Sequence, residues 1–518
     1  MTALVALCTL PLMCRAQLDL KEIQQKSRAQ AEVRKAESNA FHAERLSKWE
    51  EFIDRRSEEW AKMISERDVE WSGFLSDSEW TLFEDFLVDR RPQNPKPDMP
   101  PKTVPVKQPT GNDIPEKIEP FPVILEPENQ RPAPKPGTVP EDNKNTVVCK
   151  PAIPEQSPFT ASFGFYGSDM QIAYDTELSA VKLKGNGQKE IAKFWKDVSE
   201  TNYTPVVERL LAARDEKHLN GYAYCLLVSD FAKQICAGEN HVRAMTWFLL
   251  VRSGYDVKIG YHAQGIVLLL PTEEEVYDKM YLTIDGRRFY LMTDEANPQI
   301  YTYSGEYSAG HDIDFSFSQP MLLGGRTETR NLHFDFRGKN YSYSLDYNAD
   351  LIDFYKDYPK LPFEQYFNAA PSVQLRNSIN ASLKPFIEGM DKLTALNFLL
   401  QAVQLSFDYK TDQQQFGFEK YFYSDEVLAY PYCDCEDRSV FFTYLVHELL
   451  GYDVIGTEFV NHMASAVALD IPVNGTNYNV KGQIFTIADP TYINAEVGQC
   501  MPDFCSASPK IHFIDFAR

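Results

Sequence analysis

The sequence of 518 residues has no hydrophobic run that approaches the roughly 20 apolar residues a membrane-spanning helix needs. It also has no surplus of positive charge, since 52 basic side chains against 74 acidic ones leave a formal net charge of −22. Such a chain has no broad cationic face for phosphate backbones, so we expect no nucleic-acid partner. Nine cysteines are too few for a scaffold held together by disulfides.

The first 16 residues, MTALVALCTLPLMCRA, are apolar and precede a polar segment. Small residues at the last and third-last positions, Ala16 and Cys14, fit cleavage near Ala16 by signal peptidase. We therefore expect residues 1–16 to be a signal peptide and the mature protein to be periplasmic or extracellular. A lipid anchor on Cys14 is the alternative, although Met13 is not the small residue preferred before such a cysteine.

Seven cysteines would remain after cleavage, so at least one thiol would be unpaired in a monomer, which points to a reactive cysteine.

Residues 17–91 are rich in Glu, Lys, Arg, Gln and Ala, without proline and with a single glycine, which predicts a long helix. Trp49, Trp60 and Trp71 recur every 11 residues, each followed three and four residues later by apolar side chains. A period of about 3.67 residues per turn places them along one nearly straight stripe. We expect this stripe to pack against itself as a coiled coil, against a partner copy, or against the globular part. A ligand-binding aromatic ladder is the alternative.

The composition changes twice further along the chain. Residues 92–158 hold 18 of the 32 prolines, mixed with polar residues, which predicts an extended spacer because little surface can be buried there. Globular composition follows. We predict a domain over residues 159–300, a β-rich connecting region over 301–347, where aromatic and polar residues alternate, and a further domain over 348–518.

A cysteine, a histidine and an aspartate stand 27 residues apart in the last domain, as Cys435, His462 and Asp489. Acidic residues around Cys435, then apolar residues at helical spacing up to Gly451, predict a capped helix of about 16 residues with the cysteine in its first turn. The positive end of the helix favours a thiolate, but the acidic neighbours oppose it, so the thiol needs a basic partner. The histidine precedes an apolar strand and the aspartate ends another. A base that deprotonates the thiol and a carboxylate that orients the base are what an acyl-transfer enzyme needs.

With these residues the sequence resembles the transglutaminase-like superfamily, a branch of the papain-like cysteine enzymes, over roughly Leu396 to Pro502. The matching motifs are Cys435-x-Asp437, Leu449-Leu-Gly451, His462 before an apolar strand, and Asp489-Pro-Thr491. The resemblance implies an α+β fold with a helix packed on an antiparallel sheet. It also implies Cys435 as the nucleophile, His462 as the base and Asp489 as the orienting acid. Two positions depart from the family pattern, an aspartate just before the cysteine and an alanine two residues after the histidine.

Other interpretations of these residues remain open. Each member of the triad, taken alone, also fits a structural role as a buried cysteine, a hydrogen-bonded histidine or a turn aspartate. Cys433 and Cys435 with Cys500 and Cys505 resemble a four-thiolate zinc set. The C-x-C spacing is tighter than usual for zinc, however, and Cys500 and Cys505 are close enough in sequence to form a disulfide. We therefore expect neither a metal nor a cofactor.

A degenerate copy of the same pattern precedes this segment. Glu239–Val257 aligns without gaps on Glu436–Val454, with six of the 19 positions identical. Gly238 aligns with Cys435, whereas His262 aligns with the histidine of the triad, His462. The pattern predicts a tandem repeat whose first copy lacks the nucleophile and is structural or forms a binding surface. The alternative is that any helix ending in glycine before a strand gives some similarity.

The sequence therefore predicts an exported bacterial protein with a tryptophan-rich helix, a proline-rich tether and tandem transglutaminase-like domains. The second domain would be a cysteine hydrolase or acyltransferase that acts on peptide or side-chain amides, cell-envelope peptides among them, through a thioester on Cys435. Peptidase, amidase and transglutaminase activities all remain open. Expected oxyanion donors are the Cys435 backbone N–H and a side chain from Gln413–Gln415. The competing hypothesis is a non-catalytic cell-envelope protein that binds peptides or glycans.

Overall fold

The computed structural model describes residues 10–91, 103–104, 149–291 and 299–515. The expected signal peptide, 1–16, and the expected spacer, 92–158, therefore lie partly outside the described residues. Helix makes up 39% and strand 25%, and the two largest sheets are antiparallel, so the structure has the mixed α+β composition that the sequence predicts. None of the described helices carries an apolar stretch of membrane-spanning length.

The chain divides into two compact units, residues 1–67 and 68–518. All described residues of the first unit belong to helix α1 (Leu10–Asp77). The predicted helix over residues 17–91 is wrong at its C-terminal end, because residues 81–83 and 87–88 form strands. Ion pairs between residues three and four apart, such as Arg56 with Glu59, run along the surface of α1. The two tryptophans of the first unit are largely exposed, Trp49 by 62% and Trp60 by 41%.

The second unit begins with the last turns of α1, where the third tryptophan of the repeat is buried. The ring of Trp71 makes edge contacts with Tyr303 and Tyr307, at centroid distances of 5.5 and 5.8 Å. One turn earlier, Asp68 forms a buried ion pair with Arg252. This end of the helix therefore belongs to the globular core.

The first half of this unit builds a helical layer and a seven-stranded sheet. After α1 come β1 (Thr81–Phe83) and β2 (Leu87–Val88), then the hairpin of β3 (Pro158–Phe165) and β4 (Ser168–Asp175). Five helices follow: α2 (Thr176–Ala180), α3 (Gln188–Ser199), α4 (Thr204–Glu216), α5 (Gly221–Ile235) and α6 (Glu239–Arg252). Five strands come next: β5 (Lys258–His262), β6 (Gly265–Pro271), β7 (Met280–Ile284), β8 (Arg287–Leu291) and β9 (Ile300–Thr302). Together with β1 and β2, these strands form the seven-stranded sheet A, with the order β1-β9-β5-β6-β8-β7-β2.

The middle of the unit is a long hairpin followed by helices. The hairpin consists of β10 (Thr327–Phe336) and β11 (Lys339–Asn348), whose alternating burial agrees with the predicted half-buried strand. Phe315 and Phe317, which share this alternation, lie in irregular chain instead, because they pack among aromatic rings such as Tyr358 rather than in a sheet. The helices are α7 (Ala349–Lys356), α8 (Phe363–Phe367), α9 (Val373–Ser382), α10 (Lys384–Ile387) and α11 (Lys392–Ser406).

The last part of the unit contains a five-stranded sheet. It opens with β12 (Asp408–Tyr409), α12 (Asp412–Gln415), α13 (Ser424–Ala429) and β13 (Tyr432–Cys433), where β12 and β13 pair in parallel. Helix α14 (Cys435–Leu450) then precedes β14 (Val454–Phe459), β15 (His462–Ala468), β16 (Asn477–Val480), β17 (Gln483–Ala488) and β18 (Lys510–Phe513). The five strands form sheet B with the order β16-β17-β15-β14-β18, and α14 packs on β15.

Sheets A and B share a topology over five strands. The order β9-β5-β6-β8-β7 in sheet A corresponds strand by strand to β18-β14-β15-β17-β16 in sheet B. Every neighbouring pair in both series is antiparallel. In each case a helix, α6 or α14, directly precedes the central hairpin and packs on it. These helices are the segments that align in the sequence.

The hairpin register corrects one detail of the sequence alignment. In sheet B the strand pairing places Phe459 opposite His462, and in sheet A it places His262 opposite Gly265. Gly265 therefore occupies the position of His462, so the alignment of the two histidines is wrong by three residues. A Cβ atom at Gly265 would lie 2.5 Å from Oδ1 of Asn240, so a side chain there would require Asn240 to move. The copy that contains sheet A thus has Gly238 at the position of Cys435 and Gly265 at the position of His462.

Candidate active site

Cys435 is the first residue of α14, as the sequence predicts. The backbone N–H of Asp434, which precedes it, donates to Oδ2 of Asp437 at 3.1 Å and fixes the start of the helix. The helix ends after 16 residues at Gly451, whose φ of +68° lies in the left-handed region that glycine adopts readily. The Cys435 side chain is only 2% exposed.

The structure brings His462 and Asp489 into hydrogen-bond contact. His462 opens β15 and Asp489 directly follows β17, and these two strands are neighbours in sheet B. Nε2 of His462 lies 2.8 Å from Oδ2 of Asp489. Because an ionised carboxylate can only accept hydrogen bonds, Nε2 carries the proton of the neutral ring. The lone pair of the neutral imidazole is then on Nδ1, where it can accept a proton from another group.

The carboxylate of Asp489 is itself held in place. Its Oδ1 accepts the backbone N–H groups of Thr491 at 2.8 Å and Tyr492 at 3.1 Å. The side chain of Gln404 in α11 donates to the carbonyl oxygens of Asp489 and Ala495. Sequence reasoning missed Gln404, because its position in α11 marks it only as a helical residue. These bonds orient the carboxylate toward the imidazole.

Cys435 and His462 line the same small cavity, whose volume of about 30 Å³ is the space of roughly one water molecule. Three other walls of this cavity, Phe363, Tyr421 and Glu458, also line a cleft of about 650 Å³. The two cavities therefore adjoin. The volume of the cleft lies within the range of small-molecule binding sites. The cysteine and the histidine thus line a small cavity beside a site that can receive a ligand.

The cleft is lined by residues of sheets A and B, and three of its lining residues form a row of hydrogen bonds. His512 of β18 contacts Glu364 through Nδ1 and Glu458 through Nε2, each at 2.7 Å. Burial lowers the pKa of His512, but the two carboxylates raise it above its ordinary value. Burial raises the pKa of Glu364, and the hydrogen bond and charge of His512 lower it, to about 2 overall. This arrangement stabilises a protonated imidazole between two carboxylates.

We expect His512→Gln to cost most stability in mildly acidic solution. A raised histidine pKa stabilises the fold below its ordinary value of 6.5, and this contribution fades as the pH rises. Lowered glutamate pKa values stabilise the fold above their ordinary value of 4.5, and this contribution fades as the pH falls toward about 2. The loss in free energy of unfolding should therefore be about 1–2 kcal/mol near pH 5.5 and smaller near pH 8.5, as measured by urea unfolding. Equal losses at the two pH values would contradict the charged assignment.

Buried carboxylates surround the N-terminus of α14. The Cys435 thiol donates to Oε2 of Glu436 at 3.1 Å. Oxygen atoms of Asp412, Asp434 and Asp437 lie within 4.8 Å of one another, as do those of Asp412, Glu419 and Glu436. Burial and the charges of Asp434, Asp412 and Glu436 raise the pKa of Asp437 well above its ordinary value.

These carboxylates have a structural role that accounts for their positions. They accept backbone N–H groups of the segment before α14: Phe422 and Asp434 donate to Asp437, Lys420 to Asp412, and Asp412 to Asp434. Oxygen clusters of this kind also suit hard cations such as Ca²⁺. The closely spaced ligand groups found among the described residues include neither Cys433 nor Cys500 nor Cys505, so the four cysteines do not assemble the zinc set considered above.

Glu436→Gln is expected to make Cys435 alkylate about threefold to tenfold faster at neutral pH, because a carboxylate beside a thiol disfavours the thiolate. The rate is measured with iodoacetamide, and the modified residue is located by peptide mass mapping. Glu448→Gln, near the other end of the same helix, is the matched control and should leave the rate unchanged. A slower reaction of the Glu436 variant would instead identify Glu436 as a base.

The surroundings of the triad differ from one expectation and add one contact that the sequence did not indicate. Gln415, within the segment expected to supply an oxyanion donor, uses both ends of its side chain on the backbone of Tyr432. The ring of His462 is covered by Phe504, with centroids 5.0 Å apart and planes 12° apart. An aromatic ring thus contacts the histidine, although it comes from the loop after β17 rather than from position 464, where a buried alanine lies.

Comparison of this chain with protein-family models, curated proteins and solved structures finds no match.

Proposed function

We propose that the protein is an exported cysteine hydrolase or acyltransferase that acts on peptide or side-chain amide bonds through a thioester on Cys435. The observation that supports this most strongly is the His462–Asp489 hydrogen bond at the cavity that Cys435 also lines. The shared topology of sheets A and B supports the further proposal that the domain is duplicated and belongs to the transglutaminase-like superfamily. On this proposal the sheet A copy, with glycines at the positions of Cys435 and His462, is inactive.

The reaction would proceed in two acyl-transfer steps. Sγ of Cys435 attacks the amide carbonyl carbon while its proton passes to Nδ1 of His462. The negative oxygen of the tetrahedral intermediate is stabilised by the Cys435 backbone N–H at the positive end of α14. The C–N bond breaks, and the amine leaves with the proton from His462. Water or a second amine then attacks the thioester, gives a proton to His462 and restores the thiol as the acid or new amide departs.

The acidic surroundings favour transfer of the proton during attack rather than a permanent thiolate. Glu436 contacts the thiol directly, and the neighbouring aspartates add negative charge that opposes a sulfur anion. The same charges favour the imidazolium that forms when His462 takes the proton. Asp489 supports that cation from the opposite side of the ring. His462 therefore acts as a general base in this proposal.

The experiment that tests the function measures turnover of short peptides that carry backbone amides and glutamine side chains, with and without an added primary amine. New amino termini indicate a peptidase, released ammonia an amidase, and incorporated amine an acyltransferase. Each product should disappear in Cys435→Ser and persist in Cys433→Ser, which removes the neighbouring buried thiol. Equal product formation by the wild type and Cys435→Ser would refute the proposal.

A second candidate function is binding without catalysis. It is favoured by the contact between the thiol and Glu436 and by the small volume beside Cys435, which is about 30 Å³. On this hypothesis, peptides bind in the cleft of about 650 Å³ and are released unchanged. Isothermal titration of the same peptides separates the two functions, because a pure binding protein gives a stable complex with Cys435 unmodified and no product.

We also propose that the first unit mediates self-association. Trp49, Phe52 and Trp60 are all more than 40% exposed on α1, and they follow the 11-residue period that keeps apolar residues on one stripe. The double variant Trp49→Ala/Trp60→Ala should shift the protein toward monomer in sedimentation velocity at micromolar concentration. Glu58→Ala, an exposed position on the opposite face of the same helix, serves as the control. A wild type that remains monomeric across the concentration range would contradict this proposal.

A further inference from the structure

The loop between β17 and β18 carries two adjacent thiols that the proposed reaction does not use. Sγ of Cys505 donates to the carbonyl oxygens of Cys500 at 3.2 Å and Met501 at 3.1 Å. Sγ of Cys500 donates to the same Met501 oxygen at 3.5 Å. Cys505 is exposed and Cys500 is half-buried. The pair is therefore close together and within reach of a reagent in solution.

Most of the other described cysteines are less accessible. Cys149, Cys225, Cys433 and Cys435 are buried. Burial raises the pKa of Cys149 to about 12, so little of its thiolate forms near neutral pH. Within the loop pair, burial and the contact with Cys505 raise the pKa of Cys500. The exposed Cys505 is therefore the thiol that reacts first, and Cys500 is the one that follows.

Phe504, one of the four residues between these thiols, lies directly on the proposed catalytic base, His462. The Phe504 ring stacks on His462 at 5.0 Å between centroids and packs at a tilt against Phe459 at 5.1 Å. Its loop is held locally by turn hydrogen bonds, since the backbone N–H groups of Phe504 and Cys505 both donate to the Met501 carbonyl. A covalent bond between the two sulfurs would close this turn around Phe504 and restrict the ring that covers the imidazole.

We propose that Cys500 and Cys505 form a disulfide that holds Phe504 against His462, so that Phe504 acts as a positioning residue for the base. The oxidant is a disulfide-exchange reagent. The Cys505 thiolate attacks one sulfur of a small disulfide and releases one thiol, and Cys500 then displaces the second thiol as the protein disulfide forms. Two protein thiols and one small disulfide thus yield one protein disulfide and two small thiols. The effect on catalysis rests on the proposed role of His462, whereas the disulfide itself does not.

The first test uses the full chain and oxidised glutathione as the probe. After exchange, the peptide spanning residues 500–505 should be lighter by about two mass units and should resist alkylation until it is reduced. Cys500→Ser/Cys505→Ser should lose this product, and Cys236→Ser, which removes the other incompletely buried thiol, should retain it. A wild-type loop that keeps two free thiols or carries only glutathione adducts would overturn the proposal.

The second test asks whether the disulfide positions His462. Cys435 should alkylate about fivefold faster in the oxidised form than in the reduced form of the same chain, and the pH of half-maximal rate should differ between them. Phe504→Leu should remove both differences while leaving disulfide formation intact. Identical rate–pH profiles of the oxidised and reduced wild type would overturn the positioning role. If His462→Ala has no effect on alkylation, the proposed function fails instead, and the mass test of the disulfide still stands.

Discussion

His462→Ala is expected to slow the alkylation of Cys435 by about 10²–10⁴-fold near neutral pH, which is the usual contribution of a positioned general base. The thiol lies among carboxylates and donates to Glu436, so its own surroundings disfavour the anion. His462 lines the same cavity, and its Nε2 is held by Asp489, which leaves Nδ1 to take the proton. Removing the imidazole therefore removes the general base that accepts the proton of the Cys435 thiol.

The matched control for this variant is His262→Ala. His262 is also a buried histidine at the end of a hairpin strand, but the pairing of sheet A places it opposite Gly265 rather than beside a cysteine. The rate is measured with iodoacetamide and resolved by peptide mapping at Cys435. Asp489→Asn should give an intermediate loss, because it removes the acceptor that sets the tautomer. A rate unchanged by His462→Ala would show that the thiol is not activated by this histidine.

Arg252→Met is expected to destabilise the second unit by about 3–5 kcal/mol, because it leaves Asp68 buried without its countercharge. Arg252 is completely buried, forms an ion pair with Asp68 and lies over the rings of Trp195 and Tyr203, each at 4.8 Å. This ion pair joins the last turns of α1 to α6 within the second unit. Urea unfolding of the full chain measures the loss.

Two further variants separate the effect of losing the ion pair from the effect of losing packing contacts. Arg243→Met removes a more exposed arginine from the same helix, α6, where it pairs with Glu239, and should cost about 1 kcal/mol or less. The double variant Asp68→Leu/Arg252→Met should be more stable than Arg252→Met alone, because no unpaired charge remains buried. A double variant less stable than both single variants would contradict this explanation.

The sequence was sufficient for those parts of the site that depend on local patterns. Acidic residues followed by helical spacing and Gly451 predict α14, and the structure begins and ends that helix as expected. Short apolar runs before Asp489 and after His462 predict strands, which form β17 and β15. Because these strands are neighbours, the two side chains meet in a hydrogen bond.

The parts that the sequence did not reveal depend on contacts between distant segments. Gln404 reaches Asp489 from 85 residues away, and His512 meets Glu364 from 148 residues away, with no local pattern that marks either contact. The alignment of His262 with His462 was wrong for a different reason, because it departed by three residues from the gap-free offset of the preceding helix. That offset already places Gly265 at the position of His462, as the strand pairing does. Alternating aromatic residues also occur outside strands, as Phe317 does in an aromatic cluster.

The most direct test of the central claim is the capture of an acyl group on Cys435. The full chain is mixed briefly with a peptide thioester or activated ester, quenched in acid and analysed by intact mass and peptide mapping. We expect an acyl adduct at Cys435 that neutral hydroxylamine removes. It should form at least about 100-fold more slowly in His462→Ala and be absent in Cys435→Ser. Adducts that form elsewhere on the chain, or equally in the wild type and His462→Ala, would contradict this expectation.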